Sequence, residues 1–196
     1  MFNILKKISL FFLDIIETGV VALSIFVIVY LFVLQPHEVK GNSMLPNFEH
    51  GQFLLTDKIS YRLGNPQRGD VIVFKAPTNT QFDYIKRIIG LPEDLVMIRG
   101  GNVYINNQKL EETYLPADFS NRSGKTFQEG VAVRIPSGQY FVMGDNRNHS
   151  SDSREWGTVP RENIVGRVLL RYWPFDKFGK IKRPKYDLVT SENKSL

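Results

Sequence analysis

The pattern of hydrophobic and polar positions divides the chain into two unlike parts. From Thr18 to Leu34 no residue carries a charge, and most are Val, Ile, Leu or Phe. This run of about 17 residues is at the short end of what crosses a ~30 Å hydrocarbon core. Upstream, Ile4, Leu5, Ile8, Phe11, Phe12, Ile15 and Ile16 recur at helical spacing, while Asn3, Lys7, Asp14 and Glu17 fall on the opposite face. Residues 2–17 therefore read as an amphipathic lead-in at a membrane interface, and residues 1–36 as lead-in plus transmembrane anchor. Gln35-Pro36-His37-Glu38 follows without a small-x-small cleavage site, so the run reads as an uncleaved anchor and not a removable leader. Lys6 and Lys7 favour a cytoplasmic N-terminus, which puts the remainder on the far side.

Beyond Pro36 the apolar runs are short, β-branched or aromatic, and bounded by turn residues. They predict strands at Phe53–Thr56, Val71–Lys75, Tyr84–Ile89, Leu95–Ile98, Val103–Ile105, Val131–Ile135, Tyr140–Met143 and Val165–Trp173. Gly100-Gly101 and Asn106-Asn107 sit between such runs as two-residue turns, because both residue types tolerate positive φ. The polar segment Thr113–Gly130 reads as an exposed loop. Residues 37–183 read as a β-rich extracytoplasmic domain of short strands with no helical period, and 184–196, without periodicity, reads as a disordered tail. The fold class is mainly β: one membrane helix followed by an all-β domain of coiled antiparallel sheets.

Composition narrows the chemistry more than the fold. The net charge is +5, but the basic residues are scattered and none forms a nucleic-acid tail, so no nucleic-acid partner is expected. There is no cysteine, which excludes disulfides and thiolate metal ligands. The three histidines, His37, His50 and His149, make no metal-ligand spacing, and no phosphate-cradling glycine motif occurs. Neither a metal nor a cofactor is called for.

Three polar segments stand out. Gly41-Asn42-Ser43-Met44-Leu45-Pro46 follows the membrane exit and is not a G-x-S-x-G elbow, since Leu45 replaces the second glycine. In Tyr84-Ile85-Lys86-Arg87-Ile88-Ile89-Gly90, a strand would put Tyr84, Lys86 and Ile88 on one face and Arg87 on the other. Gly144 to Arg154 is dense in Asp, Asn, Ser and Arg and describes a self-supporting polar network. Taken singly, these also read as a turn, a solvating edge lysine and a surface loop.

Together the segments resemble the signal peptidase I (leader peptidase) family of Ser-Lys endopeptidases. Ser43-Met44-x-Pro46 is similar to its nucleophile box, and Arg68-Gly69-Asp70-Val71-Ile72-Val73-Phe74 to the next. Tyr84-Ile85-Lys86-Arg87 with Gly90-Leu91-Pro92 resembles the general-base box. Gly144-Asp145-Asn146-Arg147 through Ser150-x-Asp152-Ser153-Arg154 resembles the last, and all four stand in family order from about residue 15 to 176. The resemblance implies Ser43 as nucleophile, with its backbone N–H as oxyanion donor, and Lys86 as general base. It implies Ser150 as the holder of the lysine ammonium and an Asp152–Arg154 pair supporting the loop. Met44, Tyr84, Arg87, Gly144 and Asp145 match positions whose roles look structural. It further implies a bacterial plasma membrane, signal peptides of exported preproteins as substrates, and small residues at the first and third positions before the cut. Val39, Met44 and Ile85 are candidates for the pockets that receive them. Trp173, Pro174 and Phe175 are candidates for lipid contact, against a core role for Trp173.

The chain departs from the family pattern at Gly41, where some members carry an oxyanion-hole serine, at Asn47 for threonine, and at Asn148-His149 for Asp-Asn. For Lys86 to act as a base its pKa must fall from about 10.4, which burial beside Tyr84, Ile85 or Ile88 would achieve. The competing readings are a Ser43–His149–Asp145 or Asp152 hydrolase, a membrane-tethered binding module with vestigial boxes, and a self-cleaving Ser-Lys protein.

Overall fold

The computed structural model of the chain describes residues 2–116 and 119–186. Helix α1 runs unbroken over Phe2–Phe32. At about 1.5 Å per residue its 31 residues extend roughly 46 Å, more than a hydrocarbon core requires. Its stretch Lys6–Phe32 is long and apolar enough to cross a membrane and is not covered by the rest of the protein. The lead-in and the apolar run are thus one helix.

The strands that follow are β1 (Leu34–Glu38), β2 (Phe53–Asp57), β3 (Val71–Ala76), β4 (Asn79–Gly90), β5 (Leu95–Arg99) and β6 (Asn102–Ile105). After them come β7 (Gln108–Lys109), β8 (Val133–Arg134), β9 (Gln139–Met143), β10 (Val159–Pro160), β11 (Ile164–Trp173) and β12 (Gly179–Lys180). Two four-residue helices, α2 (Ser60–Leu63) and α3 (Ser153–Trp156), interrupt the series. The larger sheet has the order β1-β2-β11-β3-β4-β9-β10, with β12 beside β11, and the smaller the order β7-β6-β5-β8. All the strand pairings within these sheets are antiparallel. The chain is therefore a membrane-length helix followed by a mainly β domain, as expected. Both anticipated turns join hairpins, with φ positive at Gly100, Gly101, Asn106 and Asn107.

Strand alternation explains where the core lies. On β3, Val71 and Val73 pack with Val39, Met44, Phe48, Leu54 and Val168. Ile72 and Phe74 point the other way, into a cluster with Ile88, Tyr140, Val142 and Val159. A third cluster joins the small sheet to β4 and β9 through Val96, Ile98, Val103, Ile105, Ile89 and Phe141. Apolar side chains on both faces leave the C-terminal half of β4 buried, and Lys86 and Arg87 are buried with it.

Several sequence expectations need correction here. The segment 113–130 is not simply an exposed loop. Leu115, Asn121 and Phe127 are buried, and the Phe127 ring lies 4.3 Å from that of Phe141. Its polarity serves an internal partner, since Asn121 Oδ1 accepts from Arg147 at 2.6 Å. Met44 does not line a pocket but sits in the core at 1% exposure. Trp173 is 45% exposed and packs edge-on against Phe175 at 4.8 Å, so it is not a core residue. Of the segment read as a disordered tail, 187–196 lie outside the described residues, while Tyr186 packs on the third core cluster.

Candidate active site

Ser43 lies in a turn-rich segment pinned at both ends by apolar burial. Met44 and Phe48 are in the core, and Phe48 N–H donates to Met44 O at 2.9 Å. Gly41 takes φ +88°, a conformation that favours glycine, and a Cβ there would meet open space. The segment is tied to the loop after β9 by its carbonyls. Asn146 N–H donates to Ser43 O, and Asn146 Nδ2 to Asn42 O, each at 3.0 Å.

Lys86 enters from β4, paired with Ile72 of β3. Its Nζ lies 2.6 Å from Ser43 Oγ and 5.8 Å from the Tyr84 ring centre. The side chain is 5% exposed. Burial lowers its pKa to about 8, and the carboxylates of Asp152 and Asp145 pull it only partly back. A hydroxyl and a desolvated amine at this separation can exchange a proton near neutral pH, whereas a solvated lysine would stay charged.

Three buried arginine–carboxylate pairs hold the surrounding frame. Arg87, next to Lys86, grips Asp145 with Nε at 2.8 Å and a terminal nitrogen at 2.6 Å. Its other terminal nitrogen donates to Gly69 O at 3.0 Å. Arg154 grips Asp152 with two contacts of 2.8 Å, and Asp152 also accepts from Gly144 N–H at 3.0 Å. Arg147 pairs with Glu112, with one contact at 2.6 Å, and donates to Gly144 O at 3.0 Å. Bidentate pairing fixes orientation as well as charge, so each pair sets the path of the backbone that carries it.

Of the residues anticipated from sequence, the structure brings together Ser43, Lys86, Tyr84, Arg87, Gly144, Asp145, Asp152 and Arg154. Ser150 is also present beside Ser43, but its Oγ is buried without a hydrogen-bond partner. A Cβ built on Gly144 would overlap both Ser150 and Ser43 O, so only glycine lets these backbones meet. Gly144→Ala is therefore expected to cost about 1–3 kcal/mol by overpacking. A thermal melt checks this, with a drop of several degrees expected. His149 is exposed, and its backbone N–H donates to Asn146 O at 3.1 Å; no contact joins it to Ser43.

Sequence reasoning missed three contributors. Asn47 Nδ2 donates to both Asp145 Oδ2, at 2.9 Å, and Tyr114 O, at 3.0 Å, bridging the Ser43 segment to the frame. Glu112 appeared as one more charge in a polar run, and nothing local marked it as the partner of Arg147. His37, in β1, borders the groove that opens beside Ser43 and Lys86. That groove has a volume of about 260 Å³ and is lined by Val39, Ser43, Leu54, Val73, Ile85 and Lys86, among others.

The chain is similar to known proteins over nearly the whole of this architecture. The family model described as "Signal peptidase, peptidase S26" matches residues 12–173. A probable signal peptidase I-2 of Synechocystis sp. is 40% identical over 173 residues, covering 85% of this chain and 76% of that protein. The signal peptidase I of Leptolyngbya laminosa is 42% identical over 161 residues, covering 78% and 75%. The signal peptidase IB of Staphylococcus aureus is 37% identical over 169 residues, covering 81% and 87%. A crystal structure of a signal peptidase I from Enterococcus faecalis V583 aligns with a TM-score of 0.46 at 33% identity, covering 54% of this chain and 97% of that one. With the family model spanning both the apolar helix and every segment of the site, the chain belongs to the signal peptidase, peptidase S26, family.

Proposed function

We propose that the chain is a membrane-bound serine endopeptidase that removes N-terminal signal peptides from exported preproteins through an acyl-enzyme. Ser43 is the nucleophile and Lys86 the general base. The observation that supports this most is the 2.6 Å approach of a buried Lys86 Nζ to Ser43 Oγ. The relatives' names, all signal peptidases, supply the substrate class.

In this reading the neutral Lys86 amine accepts the Ser43 hydroxyl proton as Oγ attacks the scissile carbonyl. The oxyanion forms against the Ser43 backbone N–H, an interaction worth about 2.7–4 kcal/mol per donor. The C–N bond then breaks, and the Lys86 ammonium returns the proton to the departing amine. Water, deprotonated by Lys86, hydrolyses the ester and frees the signal peptide carboxylate. Ser150 Oγ, unpartnered beside Ser43, is the group that accepts from the lysine while it is charged. Val39 and Ile85 supply shallow apolar walls for small side chains, and an extended substrate adds to an exposed strand edge.

Helix α1 anchors the enzyme as a single span in a bacterial plasma membrane, with Lys6 and Lys7 on the cytoplasmic side and the β domain outside. Enzyme and substrate then meet at one membrane face. The test is cleavage of a preprotein with an Ala-x-Ala site in detergent. Wild type should cut after the second alanine, Ser43→Ala should not cut, and His149→Ala should cut normally. Cleavage that survives in Ser43→Ala but fails in His149→Ala would overturn the assignment.

The pH profile carries a sign. The base is active when neutral, and a pKa of about 8 leaves roughly a tenth of Lys86 neutral at pH 7. Cleavage, as kcat/KM, should therefore rise with pH through about 8 and fall about tenfold per unit well below it.

A further inference from the structure

Residues 181–186, after β12, run as a strap across the turn that leads into β3. Gly69 in that turn takes φ +87°, and a Cβ there would come within 2.8 Å of the Tyr186 ring and 3.0 Å of Pro184. Arg183 Nε donates to Asp70 Oδ1 at 2.9 Å, and a terminal nitrogen lies 2.8 Å from the same oxygen. Arg183 also donates to Gln67 Oε1. The other Asp70 oxygen accepts from the Tyr61 hydroxyl at 2.8 Å and from Gln67 N–H at 2.9 Å. Asp70 is 2% exposed, so Arg183 neutralises a buried carboxylate.

The inner side of the same turn holds β4. Gly69 N–H donates to Ile88 O at 2.8 Å, and Ile88 N–H donates to Asp70 O at 2.9 Å. Gly69 O accepts from Arg87 at 3.0 Å. Two residues on from Asp70, Ile72 of β3 pairs with Lys86. The turn therefore sets how β3 meets β4 at Lys86, and the strap closes that turn from outside. Tyr186 adds a second link. Its ring meets that of Tyr114 edge-on at 6.4 Å, and the Tyr114 ring lies 4.2 Å from the Arg87 guanidinium. None of residues 181–186 lines the groove beside Ser43.

Building on the peptidase reading above, we infer that the strap belongs to the catalytic frame and that Arg183 is a positioning residue for the base. By holding the Gly69-Asp70 turn against β4, it keeps Lys86 at its 2.6 Å approach to Ser43. Loss of the guanidinium leaves one oxygen of a buried carboxylate unpaired and frees the turn to move. The strap does not reach the groove, so its effect falls on proton transfer and not on substrate binding.

Wild type, Arg183→Gln and Arg183→Lys are compared on one Ala-x-Ala preprotein, well below each melting midpoint so that every chain is folded. Arg183→Gln should lower kcat by about tenfold with KM unchanged, since a misplacement of about 1 Å can cost about 10²-fold. Arg183→Lys, which keeps a cation beside Asp70, should recover most of the loss. A purely structural strap would lower the melting midpoint and leave kcat as in wild type, and that result overturns the inference. An equal loss in Arg183→Lys and Arg183→Gln overturns it as well. Should Arg183→Gln not fold, Tyr186→Leu, which releases the same turn at Gly69, is read for the same drop in kcat. If wild type fails to cut the preprotein, the peptidase reading fails; if it cuts and kcat ignores Arg183, only the role of the strap falls.

Discussion

Replacing Lys86 by methionine is expected to lower preprotein cleavage by about 10³-fold while leaving thermal stability unchanged or raised. The two effects separate because Lys86 is 5% exposed and, among the described residues, its Nζ hydrogen-bonds to Ser43 Oγ alone. Methionine fills a similar volume, carries no charge to desolvate, and leaves Ser43 its exposure to the groove. Without the amine no group in contact with Oγ takes its proton, and base catalysis alone is worth about 10²–10⁴-fold. Ser43→Ala should cost at least as much, and the double variant little more than either, because in the proposed mechanism nucleophile and base act as one unit. Steady-state cleavage assays beside thermal melts check both halves. A loss of activity accompanied by a large loss of stability would instead mark Lys86 as structural.

The second large effect is on the frame. Asp145→Ala is expected to destabilise the protein by about 3–5 kcal/mol, because it strands Arg87 as an unpaired buried charge. Asp145 accepts from Arg87 at 2.8 and 2.6 Å and from Asn47 at 2.9 Å, and its side chain has no exposure. One change therefore releases β4 beside Lys86, the Ser43 segment through Asn47, and the loop that carries Asn146. The melting temperature should fall by roughly 10 °C, at about 2–4 °C per kcal/mol for a chain of this size. A shift under 2 °C would show that the pair contributes little.

How much of this was legible in the sequence depends on the range of the interaction involved. The Gly100-Gly101 and Asn106-Asn107 turns could be placed because positive φ restricts residue choice at the turn itself. Strand β1 could not. Its Pro36 and the apolar run ahead of it read as the end of the anchor, yet β1 is an edge strand of the larger sheet, where a missing N–H is tolerated. The burial of segment 113–130 was hidden for the opposite reason. Its Asn121 and Tyr114 are matched to Arg147, whose burial is decided by packing far away in the chain. Ser43 and Lys86 are 43 positions apart, and no local pattern joins them; only the resemblance across four boxes did. Asn47 and His37 carried no such signal. Asn47 read as a departure from a threonine, and His37 as one unpaired histidine among three.

The proposed mechanism requires Lys86 to be a base that is partly neutral under working conditions. An NMR titration of the Lys86 ammonium in the active, detergent-solubilised protein measures this directly. An apparent pKa near 8, set by burial against the pull of Asp152 and Asp145, is the predicted result. A value near 10.4, that of a solvated lysine, would contradict it and remove the general base from the mechanism.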